Sequence, residues 1–471
     1  MICIITSSIV ILQHLINHGI VREIYLSSFG SHFCMDSSQS LKKQVALCTI
    51  GTLVEWYEFT IFASLAPIIS TLFFPHSNPF AAMMGTFTVF ASGYLMRPLG
   101  AFFFGHLGDT IGRKYTLLIT IFLMSGATLA IGLIPIGAAF STVLLVICRL
   151  IQGFASSGEY PGGLTLLAEQ NNPKRRGLIS SFGVFATGLG SLMGALVYAI
   201  TLKYLGYETM VEWGWRIPFL LAAPLGVIGL ILRKHIFESP EFSHLKQEKK
   251  INRKPIVQLF KYHTKSVMAT LSISILTNTL IYIDLLYFSN YALNTHKLTT
   301  IDAMNLYLLV TFIYSLSILF FGFLADYINK KFMMMTAAIL IISLIYSLFA
   351  AVANQNVAMQ FVAQGIIAVL IGMILGPFAS VIAEQFPAAV RYTGVSVTLN
   401  LAGALFGGTA PIICAWLTFY FGTFYAPVFY IVFIALIAFG GMIFIDNTSK
   451  SFKNMRPLFG YVAQLVRARH S

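Results

Sequence analysis

Gly51, Glu55, Glu58 and Phe62 fall at i, i+4, i+7 and i+11 of one apolar run, which puts them on a single helical face. Two carboxylates a turn apart in so oily a stretch cannot both stay ionised cheaply. A charge at the bilayer centre costs ~2.5 kcal/mol or more, so one of the two is expected to hold a proton near neutral pH. That is the chemistry of proton coupling. A wet vestibule lined by both acids, or an arginine beside each, is the second reading. On another run, Arg149, Gln152, Ser156 and Glu159 form a polar stripe at i, i+3, i+7 and i+10. Gly153, Gly158, Gly162 and Gly163 on that helix admit a close neighbour. A cation on this stripe is the expected partner of a first-run carboxylate, and protonation would release the pair. A static ion pair between helices is the alternative. The candidate proton-coupling groups are Glu55, Glu58, Arg149 and Glu159.

Arg97, in Arg-Pro-Leu-Gly, has the planar fork that binds a carboxylate bidentately, or it snorkels to a helix end near the bend at Pro98. Thr277, Asp284, Tyr287 and Tyr291 share one face of a later run. Asp284 there suits the cationic end of a zwitterion or a shared proton, and the aromatics suit either a cage for a quaternary amine or plain packing. Trp56, Arg97, Gln152, Tyr282, Asp284 and Tyr287 are the candidate substrate-binding residues. Asp109 and Asp326, at helix ends beside basic residues, are placed for gating contacts rather than for substrate.

Other chemistries find little support. The five cysteines are scattered with no pair at metal-ligand spacing, so neither a metal site nor a disulfide framework is expected. There is no G-x-x-x-x-G-K-[ST], G-x-S-x-G or H-E-x-x-H motif, so neither an enzyme nor a cofactor is expected. The net charge of +13 invites a nucleic-acid partner, but its distribution by alternate loops argues against one.

The elements that must position these residues are membrane helices. Of 471 residues 57% are hydrophobic and 10% charged, against about 25% charged in a soluble protein. Twelve spans are expected at about 44–73, 80–104, 116–135, 140–169, 178–202, 216–236, 265–293, 303–325, 333–353, 357–385, 394–420 and 425–445. Twenty-five of the 30 Lys and Arg lie in the termini and one set of alternate loops, which predicts both termini cytoplasmic. Residues 1–43 form an N-terminal extension whose apolar start is too short to span and lacks a basic lead, and translation is expected to begin at Met35. Residues 237–264, with a basic run from Lys246 to Lys254, read as a cytoplasmic linker near anionic headgroups. Residues 446–471 form a tail without coiled-coil heptads.

The chain also repeats itself. Gly105-His-Leu-Gly-Asp-Thr-Ile-Gly-Arg-Lys114 returns 217 residues later as Gly322-Phe-Leu-Ala-Asp-Tyr-Ile-Asn-Lys-Lys331. Ala168-Glu169-Gln170 and Arg176 return 215 residues on, as Ala383-Glu384-Gln385 and Arg391. Two echoes at nearly one offset predict a duplicated membrane unit, residues 44–236 and 265–445.

Five stretches carry a family resemblance: Gly51-Thr-Leu-Val-Glu-Trp-Tyr-Glu-Phe59; Arg97-Pro-Leu-Gly with the 105–114 turn; Arg149-Leu-Ile-Gln-Gly153 with Gly158-Glu-Tyr160; Trp213-Gly-Trp-Arg-Ile-Pro-Phe219 with Glu238-Ser-Pro-Glu-Phe242; and Phe386-Pro with Arg391-Tyr392. The chain resembles the metabolite:proton symporters of the major facilitator superfamily, which include bacterial proline/betaine and α-ketoglutarate permeases. The resemblance implies an all-α polytopic membrane protein whose twelve helices form two pseudo-symmetric six-helix bundles, with a mid-membrane site reached alternately from each side. It further implies that Gly105, Asp109 and Arg113 latch the cytoplasmic face, and that Glu55, Glu58 and Arg149 belong to the proton machinery; Asp326 and Arg391 complete the candidate gating residues. The family usually has Asn where Thr52 stands and often Asp where Glu58 stands, and the second copy has Ala325 and Asn329 in place of glycines. The tail lacks the coiled coil of the osmosensing branch. The expected activity is proton-coupled import of a small zwitterion such as proline or betaine by a monomer in a bacterial inner membrane. A di- or tricarboxylate or shikimate is the alternative substrate, and a non-transporting membrane sensor the alternative of another class.

Overall fold

The computed structural model describes residues 35–74, 79–138, 140–169, 175–288, 291, 300–354 and 356–445. The expectations for residues 1–34 and for the tail after 445 lie outside the described residues. Within a bilayer every backbone polar group must be satisfied inside the chain, and a helix does this locally. The described residues accordingly contain helices and no strand.

The first half comprises α1 Met35–Phe73, α2 Pro79–Thr110, α3 Arg113–Leu133, α4 Ser141–Glu169, α5 Arg176–Thr209 and α6 Arg216–Arg233. Two short helices, α7 Pro240–Gln247 and α8 Pro255–Tyr262, follow in the linker. The second half comprises α9 Thr264–Tyr282, α10 Thr300–Leu324, α11 Lys330–Ala353, α12 Val357–Glu384, α13 Arg391–Ala402, α14 Ala410–Phe421 and α15 Ala426–Ile443. Wide π turns extend α5 over Met210–Gly214 and α9 over Ile283–Tyr287, and a third, Gly403–Gly407, precedes α14. Among the described residues, counting helices fused through these turns as one, eleven are long and apolar enough to cross a membrane, and α2 adds a further 32-residue helix.

The repeat in sequence is a repeat in packing. In the first half α4 lies on α2 and α3, and α3 on α6; in the second, α12 lies on α10 and α11, and α11 on α15. Across the seam, α5 packs against α10 and α12, while α13 packs against α2 and α4. The two copies of the charged turn start their following helices differently. Gly112 precedes α3 at φ 129°, where a side chain would be strained. Its counterpart Asn329 sits at φ −61° and caps α11, its side chain accepting from Phe332 N at 3.1 Å. The Asn therefore starts the helix by capping where the first copy bends at a glycine. In the Trp-Gly-Trp-Arg motif, Trp215 is fully buried edge-on to Phe73 and Phe219. Arg216 donates to Ile134 O at 2.8 Å, so the motif ties α6 to the end of α3.

Candidate transport site and closing contacts

Arg97 on α2 lies at the seam between the halves. Its guanidinium is 3.9 Å from Glu55 Oε1 on α1 and lies against two mutually tilted rings, Phe59 (4.6 Å) and Tyr94 (4.5 Å). The hydroxyl of Tyr94 meets that of Tyr282 on α9, so the cluster continues into the second half. Small residues make room opposite, where a Cβ on Gly403 would lie 3.7 Å from Arg97 Nη1. A cation and an anion thus stand side by side among aromatic faces, with Glu55 buried and its Oε2 accepting no hydrogen bond among the described residues.

Glu58 is held separately. Ser125 (3.2 Å) and Thr128 (2.5 Å) of α3 donate to its two oxygens. Gln152 contacts the same Thr128 hydroxyl at 2.5 Å and accepts from Arg149 Nη1 at 2.9 Å. Arg149 also covers Phe62 (4.1 Å) and Phe59 (5.3 Å). Arg149 therefore reaches Glu58 through a polar chain rather than by direct pairing, and it is Arg97 that stands beside Glu55. Glu58, Phe59, Met124, Arg149 and Gln152 border one gap.

Glu159 has a partner of its own. Arg233, at the end of α6, contacts both its oxygens, Nη1 to Oε2 at 2.7 Å, and Thr120 donates to Oε2 at 2.7 Å. All three side chains are buried. A Cβ on Gly51 would overlap both Glu159 and Arg233, which explains a glycine on the acidic face of α1. A basic residue at a span end reads in sequence as a loop charge, so Arg233 escapes a sequence reading.

The α9 candidates diverge. Tyr282 joins the Arg97 cluster, whereas Tyr287 bonds Thr418 at 2.7 Å and stacks on Phe424. Tyr291 also stacks on Phe424. Asp284 is buried in the π turn, and no hydrogen bond reaches its Oδ1 among the described residues. The indole of Trp56 likewise has no hydrogen-bond partner among the described residues, and its Cβ borders Gly190 of α5. The aromatic residues around the charged pair are Phe59, Tyr94 and Tyr282; Phe59 closes the Gly51–Phe59 stretch, whereas no motif marks Tyr94.

The charged turns join the halves at one face. Asp109 accepts from Tyr392 N (3.2 Å), Thr393 N (2.9 Å) and Thr393 Oγ1 (2.8 Å) at the start of α13. By the same design Asp326 accepts from Gly177 N (2.7 Å) and Leu178 N (3.1 Å) at the start of α5. Both exploit the free N–H groups and positive dipole of a helix N-terminus. Burial pushes Asp326 above the usual aspartate range, opposed by those two N–H groups and then by Lys330 and Arg175. Arg113 bonds Glu169 through two nitrogens at 3.0 Å, and Arg391 reaches the same carboxylate at 2.9 Å. Lys330, Glu384 and Arg176 repeat this trio in the other copy. Gly105 backs the closure, since a Cβ there would lie 2.9 Å from Thr393 Cα.

The linker adds a third party. Glu238 accepts from the backbone of Arg113 (3.0 Å) and Lys114 (3.3 Å), Glu241 pairs with Arg391, and Phe242 lies 4.9 Å under the Arg113 guanidinium. Helix α7, capped by Ser239, thereby clasps both halves. The repeated Ala-Glu-Gln singles out Glu169 and Glu384 in the sequence, but no repeat marks Glu238 or Glu241. Among the described residues no cluster of His, Cys, Asp and Glu is fit to hold a metal.

Two repeats of membrane helices, a charged pair at their seam and paired closing contacts at one face define a multi-pass membrane protein of the secondary-transporter class. The chain belongs to the Major Facilitator Superfamily, whose family model matches residues 48–408. It is 30% identical over 413 residues to the proline/betaine transporter of Salmonella typhimurium, covering 84% of this chain and 82% of that one. It is 32% identical over 445 residues to a putative proline/betaine transporter of Staphylococcus aureus, covering 90% and 92%. Among solved structures it is similar to a mutant of XylE (TM-score 0.72, 17% identity, 88% and 97% covered). It is also similar to the human organic anion transporter MFSD10 (TM-score 0.65, 14% identity, 85% and 99% covered).

Proposed function

We propose that this chain is a proton-coupled symporter of the bacterial inner membrane, with both termini cytoplasmic, that imports a small zwitterion of the proline or glycine betaine kind. The observation that carries the reading is the Arg97–Glu55 pair among Phe59, Tyr94 and Tyr282, because a zwitterion can satisfy both charges at once. The solute carboxylate takes the guanidinium fork, and its cationic end takes Glu55 and the ring faces. Relatives named as proline/betaine transporters support this substrate class.

Glu58 is the proton carrier in this reading. It exchanges hydroxyl donors for a proton while the Arg149–Gln152–Thr128 chain responds to its charge. The halves, residues 44–236 and 265–445, rock about the seam, and the Asp109 and Asp326 contacts, with linker 237–264, break when the cytoplasmic face opens. A di- or tricarboxylate is the second reading, favoured by one observation: Arg149 and Arg97 both lie over the Phe59 ring, two cations within reach of one anion.

Uptake of labelled proline, betaine, 2-oxoglutarate and citrate into proteoliposomes tests the proposal. The expected result is accumulation of proline or betaine that collapses when the pH difference and the voltage are both abolished. Accumulation indifferent to that collapse overturns proton coupling, and accumulation of carboxylates alone overturns the zwitterion. A protein that exchanges none of the four, in counterflow as well as uptake, fits the sensor class instead.

A further inference from the structure

Helix α8 is a short amphipathic element with an unusual position. One residue, His263, separates it from α9, so it lies where a membrane span begins. Its Leu259 is fully buried, and it packs on α9, α2 and α13, touching both halves. Phe260 also approaches Phe102 of α2, ring centroids 6.5 Å apart. Yet Val257 (61%), Phe260 (44%) and Tyr262 (65%) remain largely exposed.

Around these exposed apolar side chains the charge is of one sign. From 245 to 265 the chain carries Lys246, Lys249, Lys250, Arg253, Lys254, Lys261 and Lys265 against a single acid, Glu248. Arg253, Lys254, Lys261 and Lys265 are exposed beside the helix, and Glu248 is already engaged by Lys250 at 3.0 Å. Lys261 extends over the Tyr262 ring at 5.1 Å.

We propose that α8 docks on the anionic phospholipid headgroups of the bilayer, its Val257 and Phe260 edge (i, i+3) entering the interface and its Arg253, Lys254, Lys261 and Lys265 pairing with lipid phosphates. Apolar side chains with flanking cations, lying in the interfacial plane, are the pattern of a helix held by buried area and by attraction to acidic lipid together. A protein partner would meet the same face only by displacing lipid at the start of α9. Because α8 touches α2 and α13, the docked helix is also a strap over the seam between the halves.

The full chain carrying an environment-sensitive fluorophore on Val257→Cys tests this, reconstituted in phosphatidylcholine or in phosphatidylcholine mixed with phosphatidylglycerol. A spin-labelled phosphatidylcholine is the quencher in both. The expected result is quenching several-fold stronger with phosphatidylglycerol, reversed by high salt and lost on neutralising Arg253, Lys254, Lys261 and Lys265 to Gln. Free glycerol phosphate added to phosphatidylcholine vesicles should change nothing, which separates a lipid surface from a soluble anion. The unlabelled chain gives a second reading, since trypsin cleavage after Arg253 and Lys261 should slow several-fold in the acidic vesicles. Equal quenching and equal cleavage in the two membranes, a probe quenched by aqueous iodide instead, or protection by free glycerol phosphate would each overturn the proposal.

Discussion

Arg391 of the second half meets Glu169 of the first, Nη1 to Oε1 at 2.9 Å, and their repeat-related counterparts Arg176 and Glu384 meet at 3.6 Å. The two contacts are alike in design and unlike in surroundings. The Glu169 side chain is completely buried and serves Arg113 as well, whereas Glu384 and Arg176 are 15% and 22% exposed. Glu169→Gln should remove the buried carboxylate that two guanidiniums share, leaving Arg113 to Asp109 and Arg391 to Glu241, and cost ~3 kcal/mol. Glu384→Gln should cost about 1 kcal/mol or less, because solvent screens what remains. Thermal unfolding of the purified variants reads the difference, and equal shifts in the two midpoints would refute it.

Glu58→Gln keeps the shape of a side chain that receives two hydroxyl hydrogen bonds but removes the titration. Uphill uptake should be abolished while exchange of solute across the membrane stays measurable. Unchanged accumulation down a proton gradient in that variant would remove Glu58 from the mechanism.

Arg97→Lys tests the fork and the ring contacts together, since an ammonium does not pair bidentately and offers no planar surface to Phe59 and Tyr94. Loss of one charge-assisted hydrogen bond, ~1.5–3 kcal/mol, corresponds to roughly a tenfold to hundredfold rise in half-saturation during counterflow. The same half-saturation in wild type and variant would take Arg97 out of the solute site.

These residues differ in how openly the sequence displays them. The echoes at 217 and 215 residues mark both copies of the closing contacts, because duplication repeats the chemistry as well as the helices: Asp109 with Asp326, Glu169 with Glu384, Arg176 with Arg391. Helical spacing puts Glu55 and Glu58 on one face, which is a local property. Which cation stands opposite each acid is a distance between helices, and no periodicity contains it. Glu55 lies beside Arg97, Glu159 beside Arg233, and Glu58 accepts from α3 hydroxyls. The Glu238–Phe242 stretch is marked by resemblance, but that Glu238 meets α3 and Glu241 meets α13 is again a distance between elements.

Tyr392 is a plug from the second half. Its hydroxyl donates to Gly158 O at 2.7 Å, and its ring covers Gly108 and Gly162 so closely that a Cβ on either would overlap it. Gly162→Ala should therefore push α13 off the first half. Spin labels on Tyr115 and Tyr327, both exposed and one on each half, should then show a longer separation. Tyr392→Ala in the same chain should restore the short one. If the double variant stays long, the displacement does not arise from the plug.

Asp326 lends the closure a pH dependence whose sign follows from burial. In the closed face its carboxyl binds a proton more readily than a hydrated aspartate, although Gly177 N, Leu178 N, Lys330 and Arg175 all favour the charged form. Opening that face to water returns the group to the ordinary aspartate range, about 3.9, so closing takes up protons. The contribution of this residue to closure is then complete below that ordinary value and fades as pH rises through the raised one. In label pairs at Tyr115 and Tyr327 the short-distance population should fall as pH is raised across that interval. Asp326→Asn keeps an acceptor for the two N–H groups and should flatten that part of the titration. An unchanged titration in Asp326→Asn would place the pH response in other groups.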